Sequence, residues 1–501
     1  MSELEKVKPP FLVEDVFVGK TFNDFTLNPQ GGVVEHRGDV SLASRFSRNI
    51  PLNLPVVAAN MDTVTGPKMC IAVAQEGGIG ILPRSDSISI MRQAQWVREV
   101  KRAENFIIEK PYFVLETDTV GKARAEMASR NVNTLLVVSP AEEELVGMIT
   151  TRGICLCLND TEIAGDWMKK RMGGGLAFSK NNITSLQMAA EELKRFGVTK
   201  LPLVDKDFKI KGLITSKDIA SLIKNSSANK DTKGRLRVGA AIGATGDYLE
   251  RAVALIEEGV DVIVMDTAHA HNLAVVRPAI ENFRKKFNRF ELVCGNVATF
   301  EGAGFLNDLG VDGIKVGIGS GYGCRTRLQT SAGVPQVQAI RAAWQGINRN
   351  GKPDYLFGVS IISDGGVRYN GHIALALLLG ASSVMVGSML AGTDETPGEM
   401  VNDPADNSKY KIYRGMTSPE AKLEQASFSS EIKNVEGQSR RVPYTGGSVK
   451  EILAGIRHDL QSMVSYAGEK CLQDAMKKIN LNPAAYLIPL SVAAQDESFR
   501  R

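Results

Sequence analysis

One cysteine of six stands in a setting suited to chemistry. Residues 317–327 read Gly-Ile-Gly-Ser-Gly-Tyr-Gly-Cys-Arg-Thr-Arg, with four glycines in the seven residues before Cys324. Glycine lifts the steric limits on the backbone, so such a loop takes its shape from its surroundings. A thiol carried on it can be swung toward a substrate. Arg325 and Arg327 beside it favour the thiolate, the nucleophilic form. The expected chemistry is covalent attack by Cys324. The other cysteines are scattered at 70, 155, 157, 294 and 471. Cys155-x-Cys157 reads as two apolar residues of a helix or strand. His269 and His271 lack an evident third ligand for zinc.

Two further groups close apolar runs: Ser363-Asp364-Gly365-Gly366 and Val386-Gly387-Ser388. Small residues let backbone N–H groups approach phosphate oxygens. Taken alone, each is more simply a tight turn. At successive strand ends the two together point to a nucleotide phosphate, with Asp364 placed to accept from ribose hydroxyls. A late polar stretch runs from Tyr413-Arg414-Gly415-Met416-Thr417-Ser418 through Val435-Glu436-Gly437 to Val442-Pro443-Tyr444. Its composition suits a solvated flap. Glu436-Gly437 within it reads either as a turn or as part of a site.

These groups need a scaffold that gathers strand ends. Apolar runs recur at 54–60, 260–266, 290–296, 311–319, 357–366 and 381–388, each closing on small or polar residues. Such runs are expected of buried parallel strands. Helical patterns lie between them, as at 247–258 and 300–309. The alternation predicts an α/β fold, a (β/α)8 TIM barrel, with its phosphate site after strands seven and eight. Between about 108 and 230 the pattern changes. Two units, at about 108–165 and 170–228, share the order helix, strand, turn, strand, Gly-x-Ile-Thr, an internal duplication. Residues 225–233 read as a linker. The expected layout is a barrel built from 1–107 and 231–501, an inserted domain at 108–230, and a flap at about 413–446.

Composition excludes several classes. A chain of 501 residues with a net charge of +4 and no dense basic run gives no sign of nucleic-acid binding. It has no apolar run of about 18 residues that would suggest a membrane span. Residues 1–10 do not read as a signal peptide, and the last residues carry no peroxisomal tripeptide. Sparse cysteines suit a reducing compartment, so the expectation is a cytoplasmic protein without membrane or specific nucleic-acid partners.

At these residues the chain resembles the IMP dehydrogenase/GMP reductase family. The matching motifs are NMDTVTGPKM (60–69), DTAHAH (266–271), GNVAT (295–299), GIGSGYGCRTR (317–327), SDGGVRYNG (363–371), VMVGSMLAGTDETPGE (384–399), YRGM (413–416) and EG…VPY (436–444). They span essentially the whole expected barrel. The inserted region looks like a pair of CBS modules.

The resemblance implies roles by position. Cys324 would attack C2 of a purine 5′-nucleotide to form a thioimidate. Thr326 would assist proton transfer, and Glu436 would protonate the leaving amine or hold the base. Asp364 would hold the ribose. Gly365, Gly366, Gly387, Ser388 and Tyr413 would hold the 5′-phosphate, and Gly415, Met416 and Thr417 would face the base. Met61, Asn296 and Lys433 would complete the substrate site. Asp266, Thr267, Ala268 and Gly319, with Glu436, would meet NADPH. Carbonyls of Gly319, Gly321 and Cys324 would bind a potassium ion. In the inserted domain Asp218, with Thr215 and Lys217, would hold a regulatory purine nucleotide: ATP, GTP or GMP. Gly153 stands at the equivalent place in the first module. Family barrels assemble as homotetramers, which CBS ligands can pair into octamers.

Two enzymes share this framework. A dehydrogenase oxidises IMP with NAD⁺ and must then hydrolyse its adduct, for which the family uses an Arg-Tyr pair in the flap. Here residues 424 and 425 are Glu and Gln, and the flap has no Arg-Tyr dipeptide. Only 23 positions separate Tyr413 from Glu436, and Lys433 lies three before it. AANMDTV (58–64) also looks reductase-like. The expectation is a GMP reductase, converting GMP and NADPH to IMP, ammonia and NADP⁺. The alternatives are an IMP dehydrogenase with another water activator and a nucleotide sensor with weak catalysis. Tyr322, Arg325 and Leu82-Pro83-Arg84 depart from the family pattern, and DTAHAH is closer to dehydrogenases.

Overall fold

Short strands rich in valine and isoleucine cannot stand alone, and here eight of them close on each other. They are β1 (Val56–Ala58), β2 (Ile79–Leu82), β3 (Val238–Ile242), β4 (Val262–Asp266), β5 (Leu292–Val297), β6 (Gly313–Val316), β7 (Ser360–Asp364) and β8 (Ser383–Val386). Each pairs in parallel with the next, and β8 returns to β1. The computed structural model describes residues 15–499 apart from 86, 104–106, 109–110, 131, 142–143, 184–185, 225–226, 350–357 and 426–434, with backbone only at 221–224, 422, 424 and 425.

Helices follow the strands in turn: Pro67–Gln75, Ile90–Ala103, Tyr248–Glu257, Val276–Lys286, Phe300–Asp308, Gln336–Ile347, Asn370–Leu378 and, after a long excursion, Val449–Tyr466. This is the expected (β/α)8 barrel. The period-two alternation of strands sorts side chains into two layers. Val57, Ile81, Val262, Val264, Val293, Ile362 and Met385 fill the interior. Phe46, Ile50 and Leu52, from a hairpin of Ser44–Ser47 and Ile50–Leu52, join this cluster. The Phe46 carbonyl lies against Gly313, the first residue of β6, so the hairpin closes the N-terminal end. Alternate residues such as Ala58, Ala240, Ile263, Leu292, Ile314 and Val384 face the helices. Burying each larger apolar side chain contributes about 1.5–3 kcal/mol.

Two barrel strands, β2 and β3, are absent from the runs read in the sequence. Glycines interrupt both. A Cβ at Gly80 would meet Cys70 Sγ at 2.6 Å, and one at Gly239 would meet Ile81 Cδ1 at 2.5 Å. Close packing requires glycine at these points and erases the apolar pattern.

The barrel forms one compact unit, reaching to Lys101 and resuming at Ser227–Asn229 and from Leu236 onward. A second unit spans Arg102–Ser226 with Lys230–Arg235. It contains two hairpins, Thr134–Val138 with Leu145–Thr150 and Lys200–Val204 with Ile210–Thr215. Their registers match: Thr134 faces Thr150 as Lys200 faces Thr215, and each ladder shifts at its last pair. A helix precedes each, Val120–Ser129 and Leu186–Phe196. The duplication thus extends to strand register. The copies differ after the second strand. Helix Ser216–Lys224 follows Thr215, whereas turns follow Thr150.

Candidate active site

An inward-facing position in a barrel normally carries an apolar side chain, yet β6 places Lys315 there. It is 3% exposed. Its Nζ lies 2.7 Å from Asp266 on β4 and 2.7 Å from Asp364 on β7. Burial works against the ammonium, but the two carboxylates together outweigh it and raise the Lys315 pKa above the ordinary lysine value. Neighbouring amides hold the carboxylates. Asn60 Nδ2 donates to Asp266 Oδ2 at 2.9 Å. Asn296 Nδ2 donates to the Gly317 carbonyl at 2.6 Å and to Asp364 Oδ2 at 3.0 Å. The sequence reading missed Lys315. Its signal was a lysine inside an otherwise apolar strand.

The cysteine loop follows β6. Gly317 has φ 150°, and a Cβ there would lie 1.9 Å from the Asp364 carbonyl oxygen, so only glycine fits. Arg327 corrects one expectation. Its Nη2 donates to the Val334 carbonyl, and its side chain packs over Gly319 and Gly333. It therefore folds the loop rather than serving the thiol.

Residues 436–438 of the flap are laced to this loop by backbone bonds. The Arg325 N–H donates to the Glu436 carbonyl at 2.7 Å, Cys324 bridges Gly437, and the Gln438 N–H donates to the Gly323 carbonyl at 3.0 Å. The lacing aligns three side chains. Cys324 Sγ donates to Thr326 Oγ1 at 3.2 Å, and Thr326 Oγ1 donates to Glu436 Oε2 at 2.8 Å. A thiol, a hydroxyl and a carboxylate thus form one directed proton path. Of the other cysteines of the barrel unit, Cys70, Cys294 and Cys471, none lines the cavity. Burial raises the thiols of Cys70 and Cys294, the latter pushed up to about 12.

At the other side of the cavity, Gly365 (φ 98°) and Gly366 (φ 78°) follow β7, and Gly387 and Ser388 follow β8. Gln336 braces this end. Its Nε2 donates to the Val316 carbonyl at 2.8 Å and to Ser363 at 3.1 Å, and its oxygen accepts from Ser320 Oγ at 2.8 Å. Tyr413 is buried, and a Cβ at Gly387 would sit 3.1 Å from its hydroxyl. Burial, with Asp364, Tyr322 and Cys324 nearby, raises the phenol pKa, so it stays a donor. Tyr413 comes from a three-stranded sheet of Met400–Asn402, Lys409–Arg414 and Ser439–Pro443. Arg414 anchors that sheet: its Nη2 lies 2.6 Å from Asp62, and its N–H donates to Thr63 Oγ1 at 3.1 Å.

The proton path, the lysine–carboxylate cluster, Tyr413 and the glycine loops after β7 and β8 open on one cavity of about 630 Å³, within the usual range for small-molecule sites. It gathers Cys324, Thr326, Glu436, Asp364, Gly365, Gly366, Gly387, Ser388, Tyr413, Gly415, Met416, Thr417, Asn296, Met61, Asp266, Thr267, Ala268, Gly319 and Gly321. Lys433 lies outside the described residues. Tyr322, Lys315, Asn60 and Arg84 also line the cavity. Asn296 Oδ1 is buried without a hydrogen-bond partner, which suits a ligand that brings its own N–H or O–H, as a nicotinamide carboxamide or a ribose does. Of the three carbonyls that the resemblance suggests for potassium, that of Gly321 accepts the Cys324 N–H at 3.0 Å. Among the described residues no group of three His, Cys, Asp or Glu is arranged for a metal, and no helix is long and apolar enough to cross a membrane.

In the second unit, Thr215 Oγ1 donates to Asp218 Oδ2 at 2.6 Å and accepts the Asp218 N–H at 3.2 Å. Lys217 is exposed. The first hairpin repeats half of this pattern: the Gly153 N–H donates to Thr150 Oγ1 at 3.0 Å, with no carboxylate at residue 153.

The chain is similar to known proteins over nearly its whole length. Residues 19–499 match the model of the IMP dehydrogenase / GMP reductase domain. The inosine-5′-monophosphate dehydrogenase of Nitrosopumilus maritimus is 40% identical over 459 residues, 90% of this chain and 92% of that protein. That of Aquifex aeolicus is 39% identical over 480 residues, 93% and 94% of the two chains. Among solved structures, a GMP reductase variant from Trypanosoma brucei in complex with guanosine 5′-monophosphate has a TM-score of 0.86 at 34% identity, covering 96% of this chain and 97% of that one. The same organism's GMP reductase in complex with guanosine 5′-triphosphate has a TM-score of 0.77 at 32% identity, covering 95% and 98%. With the barrel, the cysteine loop and these matches together, the chain belongs to the IMP dehydrogenase / GMP reductase family.

Proposed function

We propose that this member of the family is an NADPH-dependent GMP reductase. The observation that carries the reading is the hydrogen-bonded path from Cys324 through Thr326 to Glu436. The Cys324 sulfur bonds to C2 of GMP while the thiol proton passes through Thr326 to Glu436. Glu436 gives that proton to the exocyclic amine, which leaves as ammonia with the C2–N electron pair. A thioimidate on Cys324 remains. When bound, the dinucleotide supplies the hydride that C2 receives. The C–S bond then breaks, and IMP departs from the restored thiolate. Asp364 holds the ribose, the glycine loops and Tyr413 hold the phosphate, and Asp266, Thr267 and Ala268 border the cofactor. No water-activating Arg-Tyr pair is needed, and the flap sequence has none.

The second reading is an IMP dehydrogenase, favoured by the 40% identity to the Nitrosopumilus maritimus enzyme. Absorbance at 340 nm separates the two. GMP with NADPH should lose absorbance. If it does not, while IMP with NAD⁺ gains it, the reductase reading is overturned.

We read the second unit as a regulatory CBS pair in which Asp218 and Thr215 hold a purine nucleotide, on homotetramers that can pair into octamers. Calorimetry of the full chain with ATP, GTP and GMP should show binding beyond the substrate site that Asp218→Ala weakens. Titrations identical for the two proteins would refute the assignment.

A further inference from the structure

We propose that Tyr322 and Arg440 form a cationic clamp at the phosphate end of the cavity, so that the site selects nucleoside 5′-monophosphates over nucleosides by charge. The inference rests on the reading that a purine nucleotide occupies this cavity.

The charge balance of the cavity motivates it. Its walls carry the carboxylates of Asp266, Asp364 and Glu436. Lys315 is committed to two of them. Arg84 stands after β2, with its guanidinium against Gly243 beyond β3. The loops after β7 and β8 offer backbone N–H groups, and Tyr413 offers a neutral hydroxyl. A phosphate dianion held by neutral donors beside acidic walls leaves its charge uncompensated.

Arg440, itself exposed and reaching the cavity lining through Tyr322, can supply that charge. It is paired directly opposite Tyr413 in the antiparallel ladder, so the two side chains share one face of the sheet. Its guanidinium lies over the Tyr322 ring, 4.5 Å from the centroid, and the Tyr322 ring lies 5.8 Å from that of Tyr413. Tyr322 itself lines the cavity. A row of Tyr413, Tyr322 and Arg440 therefore leads outward from Gly387. The Gln438 amide oxygen, in the orientation that satisfies both ends of that amide, accepts from Nε and Nη2 of Arg440 at 2.8 and 2.6 Å. A guanidinium has five N–H donors, so the others remain for an anion. Stacking on Tyr322 fixes the plane of the fork, which a lysine could not reproduce. Glu436 lies four residues before Arg440 on the same segment, which enters the strand Ser439–Pro443, so an anion that seats Arg440 also steadies the end of the proton path.

The test is calorimetric titration of the full chain with GMP, IMP, guanosine and inosine. Arg440→Met and Tyr322→Leu should each weaken the nucleotides by about tenfold or more, the scale of a lost charge-assisted bond. Nucleoside affinities should stay unchanged, which also shows that the variants fold. Arg440→Lys should recover only part of the loss. Wild-type nucleotide affinity in Arg440→Met, or equal weakening of nucleosides, would overturn the clamp. If the unmodified chain binds neither GMP nor IMP, the purine reading fails, and the clamp with it.

Discussion

Thr326 and Glu436, 110 residues apart in sequence, share a 2.8 Å hydrogen bond from hydroxyl to carboxylate. Two backbone hydrogen bonds between residues 323–325 and 436–438, which set Cys324 opposite Gly437, hold the two segments together. The bond is therefore a consequence of strand pairing rather than of two flexible side chains meeting.

Thr326→Val and Glu436→Gln should each lower kcat by about 10²–10⁴-fold, the usual contribution of positioned proton transfer. Nucleotide affinity should change little. Cys324→Ala should abolish turnover and the covalent adduct seen by mass spectrometry of the quenched protein. Unaltered kcat in Glu436→Gln would remove the carboxylate from the path.

Lys315 separates two carboxylates at the centre of the barrel. Lys315→Met should destabilise the chain by about 3–5 kcal/mol, because it leaves buried charge uncompensated. Adding Asp364→Asn should restore part of that stability. A urea transition of Lys315→Met that coincides with wild type would contradict the assignment.

His372 should make stability depend on pH. Its Nε2–H donates to Asn23 Oδ1 at 2.8 Å, and Nδ1 accepts the Arg368 N–H at 3.2 Å. Burial, helped by Arg368 and opposed by the Gly366 carbonyl, lowers its pKa to about 4. The contribution of the neutral ring is complete above the ordinary histidine value of about 6.5. As pH falls from there toward about 4, the unfolded chain binds a proton that the native state refuses, so stability declines. Urea melts of wild type and His372→Gln across this range should diverge, with the shallower slope in the variant. Parallel profiles would exclude His372 as the source.

Arg414 and Asp62 tie the flap sheet to the loop after β1 that carries Met61. Arg414→Ala and Asp62→Ala should each raise KM for the nucleotide. A double-mutant cycle should give a coupling of about 0.5–3 kcal/mol. Strictly additive effects would mean that the pair does not position the site.

Legibility in the sequence followed locality. The cysteine loop, the glycine groups after β7 and β8, and the ends of the flap are contiguous motifs whose residue types state their chemistry. Six barrel strands showed as mainly apolar runs closing on small or polar residues. β2 and β3 did not, because Gly80 and Gly239 sit where neighbouring elements come too close for a side chain. Arg327 was misleading for the same reason: proximity in sequence suggested an effect on the thiol, while the loop turned its side chain onto Val334.

By itself, then, the sequence determined which elements form and which groups can react, because strand periodicity, glycine and the nucleophile are local properties. Only the tertiary structure decided who meets whom. Barrel closure set Lys315 between Asp266 and Asp364, and strand pairing of the flap set Glu436 on Thr326 and Arg440 over Tyr322. Such contacts are fixed by the closure of long loops and by inter-strand register, which local residue patterns do not encode.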